Sequence, residues 1–175
     1  MPTDPASTPP SRKVCVLARG LAFGPAEAGF VENLNFRIGP GLTVVRGGDG
    51  RGKTSLLRVL AGLAAPRAGV LERSASTLFF EEPVDPASDP VVARAWLQAL
   101  QHRYPAWCDE RQRALVGAFG LAPHLDKALH MLSTGSRRKL LAVAAAASGA
   151  ELSLIDMPFA ALDQASVRCM TQLLR

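Results

Sequence analysis

The sequence predicts an α/β fold built on mainly parallel strands, and three observations carry that prediction. Short apolar strands and helices alternate along the chain. A glycine-rich octet stands between a β-branched strand and a helical pattern. An apolar run, Leu152–Ile155, ends on an acid, Asp156. Between the two halves of this alternation, from about Pro83 to Met131, lies a stretch that reads as all-helical.

Val14–Ala18 and Asn33–Ile38 read as strands, the second alternating through Leu34, Phe36 and Ile38. Gly39-Pro40-Gly41 forces a turn, and Leu42–Arg46 is a third, β-branched strand. From Lys53 to Ala61 the pattern is helical, with Leu56, Leu57 and Leu60 on one face and Gly62 as the stop. Strands return around Gly69–Leu71 and Thr77–Glu81. Pro83, Pro86 and Pro90 break the chain into a loop, and Asp89-Pro90 suits a cap followed by a first helical position. Helices then run to about His102 and from Asp109 to Phe119, closed by Gly120. A further helix, Ser136–Ala147, leads to the strand Leu152–Ile155, and Gln164–Leu174 reads as the last helix.

A chain of 175 residues fits one domain, taken as residues 13–175 behind a flexible tail of residues 1–12. Met1–Arg12 carries four prolines and no apolar stretch, which does not fit a secretory signal. Hydrophobic residues make up 48% and aromatics only 6%, so the core is expected to be aliphatic and alanine-rich. The net charge of +5 is spread along the chain, its tightest group being Arg137, Arg138 and Lys139. A nucleic-acid surface would show a denser patch, so the charge fits a phosphate-bearing ligand better, and no nucleic-acid partner is expected. Cys15, Cys108 and Cys169 have no paired spacing, which suits a reduced, cytoplasmic setting. The longest apolar run, Leu140–Ala147, is far short of the roughly 20 residues of a membrane span.

Gly47-Gly48-Asp49-Gly50-Arg51-Gly52-Lys53-Thr54 matches the eight-residue phosphate-binding loop, and the binding set is extended to Ser55. A triphosphate must be wrapped by successive backbone N–H groups, which side chains would block and which needs angles that glycine tolerates. Lys53 adds a point charge on the β- and γ-phosphates, and the Thr54 hydroxyl is placed for Mg²⁺. The helix from Lys53 aims its positive end at the same anion. The plain alternative, a glycine-rich turn with an incidental lysine, is disfavoured by the strand before and the helix after. Asp49, a carboxylate among phosphate ligands, is expected to point away or to be neutralised by Arg51.

An apolar strand ending in an acid is common, but beside such a loop Asp156 is read as the organiser of the Mg²⁺ water shell. The residue after it is Met157, whose thioether cannot take a proton from water.

From about Val14 onward the chain resembles the ATP-binding subunits of ABC transporters. Leu132-Ser133-Thr134-Gly135-Ser136, followed by Arg137-Arg138, is similar to that family's Leu-Ser-Gly-Gly-Gln signature and lies 24 residues before Asp156. The resemblance implies a P-loop nucleotidase fold of ABC type, with N-terminal antiparallel strands and a helical insert at about residues 83–131. It implies ATP and Mg²⁺ as ligands, with Lys53 and Asp156 catalytic and Thr54 and Asp156 (through water) on the metal. It implies a second ATP-binding subunit, whose γ-phosphate Ser133 and Gly135 would grip, and transmembrane permease partners at the inner face of the membrane. Ala161-Leu162-Asp163 resembles the loop that crosses the dimer interface. Glu82 sits where the family carries a glutamine that senses Mg²⁺ and the permease; an acid in a proline turn is the plain alternative. Phe23 sits where an aromatic commonly stacks on adenine; a core phenylalanine is the plain alternative. The stretch from Lys53 to Gly69 is especially similar to the haem-exporter ATPases of cytochrome c maturation.

The departures run in one direction. Met157 replaces the catalytic glutamate, Glu82 the glutamine, and Thr134 and Ser136 the signature's Gly and Gln. The family's later strand, with its switch histidine, is not found before Arg175, and His102, His124 and His130 all precede Asp156. That strand would lie between the P-loop strand and the Asp156 strand, so either those two pair directly or a slot is left between them. The expected function is an ATP-binding subunit that couples ATP-driven dimerisation and hydrolysis to transport, with weak turnover at its own site. The alternative is a non-catalytic nucleotide-binding partner of an active subunit. A small-molecule kinase is disfavoured, because Leu132–Ser136 would have no role there.

Overall fold

The computed structural model describes residues 15–24, 31–82 and 89–175. The expected tail, Val14 and the Pro83 and Pro86 loop lie outside these residues. Three strands, β1 (Val16–Phe23), β2 (Val31–Ile38) and β3 (Ala68–Arg73), form an antiparallel sheet in the order β2-β1-β3. The central strand buries Val16, Ala18 and Leu21 against helix α1 (Lys53–Ala61), through Leu56, Val59 and Leu60. This helix ends as the sequence predicts: Gly62 takes a left-handed conformation and its N–H reaches back to the last turn.

A second, parallel pair joins β4 (Leu78–Phe79) to β5 (Leu152–Ser153). Leu152 N–H donates to Thr77 O and Leu154 N–H to Phe79 O, so pairing continues one residue past the formal strand. The helical part holds α2 (Ala93–Arg103), α3 (Asp109–Ala118), two short 3₁₀ turns, α4 (Thr134–Ala147) and α5 (Gln164–Leu173). As the low aromatic content implies, this core is aliphatic and alanine-rich. Helix α4 buries Ala142, Val143, Ala144 and Ala147 completely, and small side chains let its neighbours approach closely.

Three local expectations are corrected. Helix α2 is capped by backbone rather than by Asp89: Ala93 N–H donates to Lys127 O and Arg94 N–H to Leu125 O. Asp89 instead accepts from the backbone N–H of His130 through its carbonyl, and its carboxylate pairs with Arg137 at 2.9 Å. Helix α4 starts two residues earlier than predicted, at Thr134, because Ser133 serves as its cap.

The largest correction concerns Leu42–Arg46, which forms no strand. Residues 42–46 make no backbone–backbone hydrogen bond among the described residues, and Leu42, Val44 and Val45 are 61%, 60% and 44% exposed. They do not reach β5. A cavity of about 450 Å³ stands between the two segments, with Leu57 and Leu60 of α1 and Thr171 and Leu174 of α5 also in its walls. A β-branched sequence cannot make a strand without a neighbour to receive its N–H and C=O groups. Of the two arrangements expected for this part of the sheet, the structure has the open slot.

Candidate functional site

The site is assembled where the octet meets the end of β5. Gly50 (φ +72°) and Gly52 (φ +80°) adopt the left-handed backbone that other residues reach only at a cost. Gly52 also sits tightly on the core: a Cβ there would lie 3.5 Å from the Phe23 ring and 3.4 Å from Val31. From Gly52 the chain turns directly into α1, whose first N–H groups and positive dipole end face the loop. Lys53 Nζ donates to Gly47 O at 2.9 Å and to Gly48 O at 2.7 Å, so its ammonium lies over the loop. Asp49 is fully exposed, and the cation beside it is Lys53 at 3.8 Å rather than Arg51.

Thr54 Oγ1 donates to Asp156 Oδ2 at 2.6 Å, joining two residues 102 positions apart in sequence. A hydroxyl and a carboxylate side by side next to the glycine-rich loop are hard oxygen donors, a set that suits Mg²⁺ together with phosphate oxygens and water. Among the described residues no cluster of three or more His, Cys, Asp or Glu marks a separate metal centre. Met157 follows with φ +48° and is half-exposed, pointing no acid or base at the pair.

Leu132–Ser136 forms the entry to α4. Leu132 is buried, Ser133 and Thr134 are exposed, and Ser133 Oγ accepts from Ser136 N–H at 3.1 Å and donates to Ser136 Oγ at 3.0 Å. The serine cap is therefore real; Ser133 and Thr134 are open to solvent, while Gly135 is buried. Ala161–Asp163 packs directly on it. Ala161 has φ +60°, and its carbonyl comes so near Gly135 that a Cβ there would stand 2.4 Å away. Arg138 donates to Ala160 O at 3.2 Å, and Lys139 Nζ meets Asp163 Oδ2 at 2.9 Å. Asp163 also caps α5, accepting from the N–H and the hydroxyl of Ser166. The Lys139 hydrogen bond, aided by those from Ser166, holds the Asp163 carboxyl well below the usual carboxylate range. The roles of Arg138 and Lys139 were not foreseen. The signal was there: Gly135, Arg138 and Lys139 are spaced i, i+3, i+4 on one helix face.

Two expected residues are placed differently. Phe23 is 2% exposed, packed in the core of the antiparallel sheet against Gly52, and offers no free ring face for a base. The core reading is the right one for it. Glu82 forms an ion pair with Arg58 of α1 at 3.1 Å. The acid that lines a small hollow with Asp156 and Arg138 is its neighbour Glu81, itself paired with Arg103. The histidines lie in the helical part, away from the loop: His102 and His130 bond to the Gln98 and Asp89 carbonyls. No helix among the described residues is long and apolar enough to cross a membrane.

Comparison with known proteins identifies the family. Residues 31–160 match the ABC transporter family. The chain is 36% identical over 162 residues to the cytochrome c biogenesis ATP-binding export protein CcmA of Alkalilimnicola ehrlichii, covering 83% of this chain and 68% of that protein. It is 33% identical over 172 residues to the protein of that name from Cupriavidus necator, covering 89% and 75%. Among solved structures, an ABC transporter ATP-binding protein from Pyrococcus furiosus superposes with a TM-score of 0.72 at 22% identity, covering 91% of this chain and 85% of that one. That likeness fixes the fold as a P-loop nucleotidase of ABC type. The family match over residues 31–160 and relatives 33–36% identical show that the chain belongs to the ABC transporter family as one of its ATP-binding subunits.

Proposed function

We propose that this chain binds Mg-ATP through Gly47–Ser55 and couples that binding to transport with a second ATP-binding subunit and a transmembrane permease at the cytoplasmic membrane face. The observation that carries the reading is the Thr54–Asp156 contact at 2.6 Å, because it joins a phosphate loop to an acid across 102 residues. The loop's N–H groups and the Lys53 ammonium balance phosphate charge, while Thr54 and Asp156 supply oxygen ligands for Mg²⁺. When bound, Mg²⁺ would neutralise charge on the phosphate oxygens. Ser133 and Gly135, held from behind by Ala161–Asp163, are the residues that would meet the partner subunit's nucleotide. The names of the relatives point to export in cytochrome c biogenesis as the process served.

Turnover at this chain's own site is proposed to be weak. Hydrolysis needs a group that takes a proton from the attacking water, help worth about 10²–10⁴-fold, and Met157 has none to offer. No observation favours the reading of a non-catalytic partner over that of an active subunit. The direct test is calorimetry with Mg-ATP on the wild type and on Lys53→Ala. Binding that is lost in the variant, with unchanged circular dichroism, supports the proposal; equal binding by both proteins overturns it.

A further inference from the structure

We propose that Arg138 positions Asp156 for the metal through one buried water, held in the hollow that Arg138, Glu81 and Asp156 line together. The inference deepens the reading of this site as a Mg-ATP site and rests on it, because the metal is what Asp156 would be oriented for. Arg138 offers donors in two directions. Its Nη1 donates to Ala160 O at 3.2 Å, on the loop that follows Asp156. Its Nε is buried, and no described group of the protein accepts from it. A buried N–H without an acceptor is costly, the more so on a charged group, and the usual partner of such an atom beside a polar hollow is water.

The size and walls of the hollow fit that occupant. Its volume is about 10 Å³, close to the least space that holds a single water. Its other lining residues, Phe79, Leu141, Leu154, Ile155 and Pro158, are apolar. The water therefore accepts from Arg138 Nε–H and donates to the two acids. Glu81 is fixed by its pair with Arg103, and Asp156 gives Oδ2 to Thr54 at 2.6 Å. With Thr54 alone the Asp156 carboxylate can swing about that one bond; a second hydrogen bond, from the water, sets its orientation. Groups that orient a metal-ligating carboxylate in this way matter about 10–100-fold in metal affinity. Arg138 is thus a positioning residue, and it joins the helix behind the signature-like residues to the acid at the end of β5.

The test uses the full chain and two variants. Arg138→Met keeps an unbranched stem and removes every donor. Lys139→Met breaks the Lys139–Asp163 pair on the same loop, and Lys139 does not line the hollow. Crystal structures without nucleotide are expected to show a water about 2.9 Å from Arg138 Nε in the wild type and in Lys139→Met. In Arg138→Met the Asp156 carboxylate is expected to lose its single orientation toward Thr54. In calorimetry, the Mg²⁺ concentration that half-completes the gain in ATP affinity is expected to rise about tenfold in Arg138→Met and to stay near wild type in Lys139→Met. A hollow without water in the wild type overturns the proposal, as does an Asp156 carboxylate unmoved in Arg138→Met. An equal Mg²⁺ shift in both variants also overturns it, since Arg138 would then only hold the 160–163 loop. A wild type whose ATP affinity gains nothing from Mg²⁺ would overturn the Mg-ATP reading itself, and with it the purpose given to Arg138, whatever the crystals show.

Discussion

Lys139 Nζ and Asp163 Oδ2 meet at 2.9 Å, tying the helix behind the signature-like residues to the cap of the last helix. Together with the Arg138–Ala160 bond and the Gly135–Ala161 contact, this makes α4 and the 160–163 loop one rigid unit. Any surface that the exposed Ser133 presents to a partner is set by that unit. The 160–163 loop thus holds the start of α4 in place.

The charge on Asp163 should therefore be felt in acid. Its folded-state pKa is held below the ordinary carboxylate range, chiefly by the Lys139 hydrogen bond. Its contribution is complete above the unfolded value of about 3.9 and is lost as pH falls through the lower folded value. Asp163→Asn keeps a capping side chain but removes the charge. Its melting midpoint is expected to lie below wild type at pH 7, with the gap closing below about pH 4. Thermal melts of the two proteins between pH 7 and pH 3 check this; a gap that widens in acid contradicts it.

Gly135→Ala tests the contact itself. The new methyl would stand 2.4 Å from a backbone oxygen at Ala161, which cannot swing aside as a side-chain tip could. Overpacking of this kind costs about 1–3 kcal/mol, so the melting midpoint should fall by several degrees. An unchanged midpoint would show that the 160–163 loop is free to move.

Much of this was legible in the residues. Lys53–Ala61 is found with the boundaries its leucine spacing and Gly62 predict, and the octet leads straight into that helix. These are local signals: a period, a cap, a turn that only glycine makes. What the sequence misstates depends on neighbours distant in the chain. Leu42–Arg46 has the composition of a strand but no strand to pair with, and Phe23 can be an adenine platform or a core residue until its surroundings are known. Asp89 looks like a cap until the backbone carbonyls of residues 125 and 127 take that role.

The Thr54–Asp156 pair makes a separable prediction about metal. If both oxygens serve Mg²⁺, Thr54→Val and Asp156→Asn should each reduce the gain in ATP affinity that Mg²⁺ brings, leaving metal-free ATP binding by Lys53 and the loop amides close to wild type. Lys53→Ala should lose both. Titrations with and without Mg²⁺ distinguish the patterns, and an undiminished Mg²⁺ effect in Asp156→Asn would remove that residue from the metal site.

Met157 offers the sharpest test of why turnover should be weak. It stands immediately after Asp156, half-exposed, with φ +48°. Glutamate is unbranched at Cβ like methionine, so Met157→Glu adds a carboxylate at similar backbone cost. If the missing base is what limits hydrolysis, this variant should raise ATP turnover by about 10²-fold at saturating Mg-ATP with little change in affinity. Met157→Gln has a similar shape but accepts no proton, and should show no such gain. Equal rates in all three proteins would mean that something other than the base limits the chemical step, and the open slot beside the same residues would be the first place to look.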